Sequence, residues 1–240
     1  MTSLPGEDRG ARAAAAPVAV AFCPGPPLLL PQVAGRAAAG TAGLRAACAQ
    51  ALGDLLATGP AVVVVVGVGG RGRYGPGDAG DLRGHGVDLE VPFCRPARPG
   101  GRRTPLALTV GAWLLDGVGH RGPRLGVAPA DLAAALTGLP GPAAVLAVGD
   151  GSARRTAKAP GYLDDAAAPF DAAVAAALAG GDAAALAALD PAEGERLLAA
   201  GVPTWRAVGA LLAGRPVTAR LLADEAPFGV GYLVASWVPR

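Results

Sequence analysis

The chain has 240 residues, of which 52% are hydrophobic and 17% charged, and its net charge is +2. This length can bury a full core, and the composition excludes an intrinsically disordered chain. The small net charge, without basic clusters interleaved with aromatic residues, argues against nucleic-acid binding. The three cysteines (Cys23, Cys48 and Cys94) have no paired spacing, which argues against a disulfide framework or a zinc ribbon.

Residues 1–16 are predicted to form a flexible N-terminal tail, followed by a single domain over residues 17–240. No apolar run reaches the roughly 18 residues of a membrane-spanning helix. Acidic residues precede the first apolar stretch, which is unlike a signal peptide. We therefore expect a cytoplasmic protein that does not enter a membrane, and the sequence leaves homo- or hetero-oligomerisation open.

Apolar runs and helical periodicity alternate along this domain. The predicted strands lie at residues 17–23, 61–68, 87–93, 143–148, 217–224 and 230–238. The predicted helices lie at residues 43–57, 105–118, 129–137, 166–179, 182–189, 191–200 and 203–212. The run at 61–68 holds five consecutive valines, typical of a central parallel strand. This alternation predicts an α/β domain with a mainly parallel central sheet flanked by helices.

Two motifs follow predicted strands in the second half of the chain. The segment from Gly149 to Asp171 contains GDGS, GYLDD and PFD, and the segment from Glu225 to Tyr232 is EAPFGVGY. In this order they resemble signatures of the LigB-like class III extradiol dioxygenase superfamily, and the resemblance covers residues 17–238. It implies a LigB-like fold. Catalytic members of this superfamily hold Fe(II) through two histidines and a carboxylate, with open positions for a catechol and O₂, so the resemblance also implies such a site.

The chain departs from this resemblance at the residues that would bind iron or assist catalysis. Gly25 stands where the family has a histidine after the first strand, and Gly69 or Gly70 stands at the second histidine position. Ala153 replaces the histidine of the third signature, and Glu225 alone matches a ligand, the family carboxylate. We therefore expect a degenerate site without a cofactor, although the family would use Fe(II).

A few residues remain as candidates for chemistry. Asp150, Ser152 and His85 are the candidate catalytic residues, and His85 and Glu225 are the candidate metal ligands. Ser152 lacks the G-x-S-x-G context of a nucleophile elbow. His120 is expected in a surface loop, outside any of the motifs.

Basic and glycine-rich loops favour anions at the same strand ends. Arg71 follows the second strand, and Arg154 and Arg155 follow the GDGS motif, so these three are candidate anion-binding residues. The alternative is that they are solvated loop charges. The segment 67–72 matches G-x-G-x-x-G, but the sequence after it does not favour the helix that a dinucleotide site requires.

Three functional hypotheses follow. The first is a LigB-like protein with a degenerate metal site, inactive as a catechol dioxygenase and acting as a binding, regulatory or partner protein for a small anionic or aromatic ligand. The second is an enzyme of dioxygenase type with altered active-site chemistry. The third is an unrelated α/β protein that binds an anion or nucleotide, for which a helix opening at Gly72 would be the sign.

Overall fold

The computed structural model describes residues 17–240, so the predicted tail at 1–16 lies outside the described residues. The strands are Ala19–Cys23 (β1), Val62–Val66 (β2), Ala79–Asp81 (β3), Glu90–Pro92 (β4), Arg124–Val127 (β5), Ala143–Val148 (β6), Val217–Glu225 (β7) and Tyr232–Pro239 (β8). The α-helices are Pro31–Ala34 (α1), Ala42–Ala57 (α2), Leu106–Gly117 (α3), Leu132–Thr137 (α4), Ala167–Gly180 (α5), Ala183–Ala187 (α6), Pro191–Arg196 (α7) and Val202–Leu212 (α8). Of these helices, none is both long and apolar enough to cross a membrane.

The central sheet has six strands in the order β5-β2-β6-β1-β8-β7. β5, β2, β6 and β1 run parallel, and the hairpin of β7 and β8 joins antiparallel to β1. All five valines of β2 are buried, because a central parallel strand has both of its faces covered. The predicted single α/β domain with a mainly parallel, helix-flanked sheet is confirmed.

Helices cover both faces of the sheet and form two hydrophobic cores. α2 and α3 pack on one face, together with the separate two-stranded sheet of β3 and β4. α4, α5, α6 and α8 contribute to the other core, which contains Trp205 and Trp237. The indole N–H of Trp237 donates a hydrogen bond of 2.7 Å to the carbonyl of Leu178, so that this buried polar group is satisfied.

The connections create a topological switch point at the carboxyl edge of the sheet. The helices that follow β1 and β2 lie on one face, and those that follow β5 and β6 lie on the other. The chain therefore leaves β6 toward one face and leaves its neighbours β2 and β1 toward the opposite face. In open α/β sheets such switch points are where ligands bind.

Two strands differ from the prediction. β5 was not predicted, because Arg124 and Gly126 interrupt its short apolar pattern, and only its pairing with β2 defines it as a strand. The strand predicted at 87–93 is shorter, and it pairs with β3 instead of joining the central sheet. Neither difference alters the carboxyl edge of β1, β6 and β2.

Candidate functional site at the carboxyl edge

Asp150 lies at the centre of this edge, directly after β6. Its Oδ1 accepts a hydrogen bond of 2.7 Å from the backbone N–H of Gly25, which follows the neighbouring strand β1. Its backbone carbonyl accepts a second bond of 2.7 Å from the N–H of Gly201, just before α8. Asp150 therefore connects the loop that follows β1 to the segment that precedes α8.

The surroundings of Asp150 favour its protonated form. Burial raises the pKa of its carboxyl to about 6, and the hydrogen bond from Gly25 offsets only part of this effect. Burial, with the Asp150 charge as a smaller cause, also raises the pKa of the nearby Tyr232 phenol. A carboxyl that titrates near neutral pH at a switch point can hold or release a proton for a bound ligand.

The glycines at the family's histidine positions are closely packed. A Cβ added at Gly25 would lie 2.8 Å from Cγ1 of Val148. A Cβ added at Gly69 would lie 3.0 Å from Cβ of Pro105, and one at Gly70 would lie 2.6 Å from Cγ of Pro105. Val148 in β6 therefore occupies the space next to Gly25, and Pro105, directly before α3, occupies the space next to Gly69 and Gly70. A larger side chain does not fit at these positions without rearrangement.

Glu225 lies at the far side of the same edge. It is exposed at the end of β7, and its Oε1 faces the first turn of α2, where a Cβ on Gly43 would lie 3.7 Å away. Four strand intervals separate β7 from β2, which at about 4.8 Å each is roughly 19 Å. A metal ligand at the position of Gly69 would therefore lie too far from Glu225 to share one metal ion with it, because metal–ligand bonds are about 2 Å long.

The iron implied by the resemblance has no ligand set in this structure. Among residues 17–240, no group of three or more His, Cys, Asp or Glu side chains could hold a metal ion. His85 is exposed in the turn between β3 and β4. Ala153 has no side-chain donor or acceptor, and its backbone N–H donates to the carbonyl of Leu197 while its carbonyl accepts from the N–H of Gly161. The residues present do not fit Fe(II).

The loop after β6 is held by a buried carboxylate in α5. Oδ1 of Asp171 accepts a bond of 2.8 Å from the N–H of Ser152, and its Oδ2 accepts one of 2.9 Å from Nη1 of Arg155. The hydroxyl of Ser152 donates to the carbonyl of Leu197 at 3.0 Å. Ser152 and Arg155 are therefore both engaged in holding the loop.

The other two predicted anion-binding arginines have different environments. Arg71 is exposed on the loop that follows β2. Arg154 is half-buried, and in the described part of the chain its buried Nε has no hydrogen-bond partner. Because the Arg155 charge is compensated by Asp171, Arg154 and Arg71 are the two of this set that stay available to an anion.

An apolar groove that the sequence did not reveal opens beside the carboxyl end of β2. It has a volume of about 480 Å³ and lies between Val68, α7 and α8. Its apolar lining includes Val202 and Leu198, and its charged residues are Glu195 and Arg206. The Leu198 residue is 46% exposed and adopts a φ of 56°, an unusual conformation for a leucine. These residues lie up to 138 positions from Val68, so no local motif marks the groove.

No protein-family model and no curated protein sequence matches this chain. The resemblance to LigB-like proteins therefore rests on the motifs themselves.

Proposed function

We propose that this is a small-molecule-binding protein on a LigB-like scaffold, with a degenerate metal site that does not cleave catechols. The observation that carries the proposal is the apolar groove beside the carboxyl end of β2. Ligands of α/β proteins bind at this edge of the sheet. A groove of about 480 Å³ also falls in the range of small-molecule sites, roughly 300–1,000 Å³.

The lining favours a ligand with an apolar, aromatic body and one anionic group. Val68, Leu198 and Val202 offer apolar surface. Arg206 is half-buried, and it uses Nη1 to donate to the carbonyl of Leu189, which leaves further guanidinium donors for a carboxylate. Glu195 is exposed, so its charge is screened by solvent more strongly than that of Arg206. An aromatic carboxylate matches this combination.

The positions that correspond to the family's metal ligands support the same proposal. The space beside Gly25 and Gly69 is filled by Val148 and by Pro105. Glu225, the one matching family ligand, lies on an edge strand four intervals from β2. Binding in the groove uses none of these positions, so the proposed function does not need the iron that the resemblance implies.

Thermal unfolding in the presence of benzoate and naphthoate, compared with their neutral amides, tests the proposal. The carboxylates should raise Tm with concentration, since a ligand at 100 times its Kd stabilises the fold by about 2.7 kcal/mol. Leu198→Glu should weaken binding about tenfold, because a charge replaces an apolar contact. Arg206→Gln should remove the preference for the acids over the amides.

Leu106→Glu is the matched control, because Leu106 is 38% exposed and lies outside the groove. An equal loss in the Leu198 and Leu106 variants, or no stabilisation by any carboxylate, would refute groove binding. Stoichiometric iron after anaerobic purification, or a ring-fission product from a catechol, would refute the degenerate-site part of the proposal.

A second candidate is an enzyme that uses Asp150 for acid–base chemistry. It is favoured by the position of this carboxyl at the switch point and by its pKa of about 6. Asp150→Asn distinguishes the two candidates. It should abolish turnover in an Asp150-dependent enzyme, and it should leave the carboxylate-induced rise in Tm unchanged in a groove-binding protein.

A further inference from the structure

A second pocket lies at the opposite edge of the sheet, where β5 begins. It has a volume of about 330 Å³ and is lined by Arg95, Arg121, Arg124, Asp116 and Cys94, among others. We call it the arginine pocket. Arg124 is the first residue of β5, and Asp116 lies in the last turn of α3, which runs from the carboxyl edge to the amino edge. The arginine pocket is therefore separate from the groove.

Three guanidinium groups converge on one carboxylate in this pocket. Nη2 of Arg124 lies 2.7 Å from Oδ1 of Asp116, and Nη2 of Arg95 lies 2.9 Å from Oδ2. Nη1 of Arg121 lies 3.5 Å from Oδ1 of the same carboxylate. A single negative charge thus faces three positive ones, which leaves an excess of two positive charges in the lining.

Neighbouring groups do not remove this excess. Asp78, the next acid, is already engaged by Nη2 of Arg102 at 3.2 Å and by two backbone N–H groups. Burial raises the pKa of the Cys94 thiol, so it carries no negative charge at neutral pH. Burial, and then the charge of Arg124, lower the pKa of His120, which keeps this imidazole neutral.

Arg124 is a buried support of the pocket, whereas Arg95 and Arg121 are exposed and have N–H groups left for a ligand. Only 4% of the Arg124 side chain is exposed, and its Nη1 donates to the carbonyls of Phe93 and Ala112 while Nη2 contacts the shared carboxylate. Arg95 and Arg121 are 59% and 60% exposed, and each contacts that carboxylate through one nitrogen. Their remaining N–H groups are available to a ligand.

We propose that the arginine pocket binds a phosphate dianion, either free or as the terminal group of a phosphomonoester. The dianion matches the excess of two positive charges. The planar guanidinium groups of Arg95 and Arg121 can each donate two parallel hydrogen bonds to phosphate oxygens. Arg124 places a third, fixed positive charge behind them at low exposure, where screening by solvent is weak.

Calorimetric titration of the protein with inorganic phosphate, at an ionic strength held constant with sodium chloride, tests this site. Phosphate should bind and should raise Tm. Arg95→Ala and Arg121→Ala should each weaken binding about tenfold, since each removes charge-assisted hydrogen bonds. Arg95→Lys should give an intermediate loss, because it keeps the charge but not the paired donors.

Arg83→Ala is the matched control. The Arg83 side chain is 61% exposed and paired with Asp88 at 2.8 Å, but it lies outside the arginine pocket, so its variant should bind phosphate like the parent. An equal effect of chloride at the same ionic strength, or unchanged binding in both Arg95→Ala and Arg121→Ala, would overturn the proposal. Tighter binding of phenyl phosphate than of inorganic phosphate would identify a phosphomonoester as the ligand, and the reverse order would identify the free ion.

Discussion

At the scale of single residues, glycine decides how closely α3 approaches the sheet. Gly67 follows β2, and a Cβ added there would lie 2.6 Å from Cβ of Ala107 in α3. The same Cβ would lie 3.3 Å from the carbonyl oxygen of Val148. The glycine after β2 is therefore a packing requirement, which explains why this strand end carries no side chain for chemistry.

Gly67→Ala should lower the free energy of unfolding by about 1–3 kcal/mol, because the added methyl group overpacks the contact with α3. Gly53→Ala is the control, because Gly53 lies in α2 and a Cβ added there would have no neighbouring atom within 4 Å. In a helix interior this change should stabilise by about 0.5–1 kcal/mol. Urea unfolding measures both, and a Gly67 variant as stable as the parent would contradict the packing argument.

At the scale of elements, Asp171 ties α5 to the loop after β6 and to the start of β8. The N–H of Gly151 donates to the carbonyl of Gly231 at 2.7 Å, and the N–H of Gly231 donates back to the carbonyl of Ser152 at 2.9 Å. A Cβ on Gly231 would lie 2.7 Å from Cγ of Asp171. The GDGS and GVGY motifs are thus adjacent, and their glycines make room for the Asp171 carboxylate.

Arg155→Gln should destabilise the protein by about 3 kcal/mol, because it leaves the buried carboxylate of Asp171 without its cation. Arg196→Gln is the matched control. Arg196 is 49% exposed and pairs with Asp164, and loss of such a surface pair should change stability by less than about 1 kcal/mol. Equal losses in the two variants, measured by urea unfolding, would show that the Asp171 pair is no more important than a surface contact.

At the scale of the whole molecule, Asp150 couples the stability of the fold to pH. It lies between the two cores at the end of a central strand, and its folded pKa of about 6 exceeds the ordinary value of 3.8. The folded state therefore binds more protons than the unfolded state between these values. The resulting stabilisation is complete below about pH 4 and is lost as the pH rises through about 6, a change of about 3 kcal/mol.

Asp150→Asn should remove this contribution. Its side-chain oxygen can still accept the bond from Gly25, so the variant should gain stability relative to the parent as the pH rises from about 4 to about 7. Some pH dependence should persist in both proteins, because burial also raises the pKa of Asp171. Urea unfolding across this range gives the difference between the two proteins, and a difference that does not change with pH would refute the assignment.

Most of the elements and the fold class could be predicted from the residues alone. Buried valines and alanines at 62–66 and 143–148 predict central strands, because a continuous apolar run bounded by glycine suits a parallel strand covered on both faces. Helical periodicity and Pro, Asp and Gly boundaries placed α2 to α8 within a few residues of their observed bounds, whereas the short helix α1 was not predicted. The lack of imidazoles at Gly25, Gly69 and Ala153 was also a property of the sequence alone.

Which of these residues contact one another depends on the strand order and on packing. The hydrogen bond between Gly25 and Asp150 joins residues 125 positions apart, and it depends on β6 pairing next to β1. The strand order places Glu225 on the edge strand β7, four strand intervals from β2. The groove and the arginine pocket likewise combine distant loops and helices. Local propensities indicate most of the secondary structure, whereas sites arise from strand order and packing, which no short window of sequence contains.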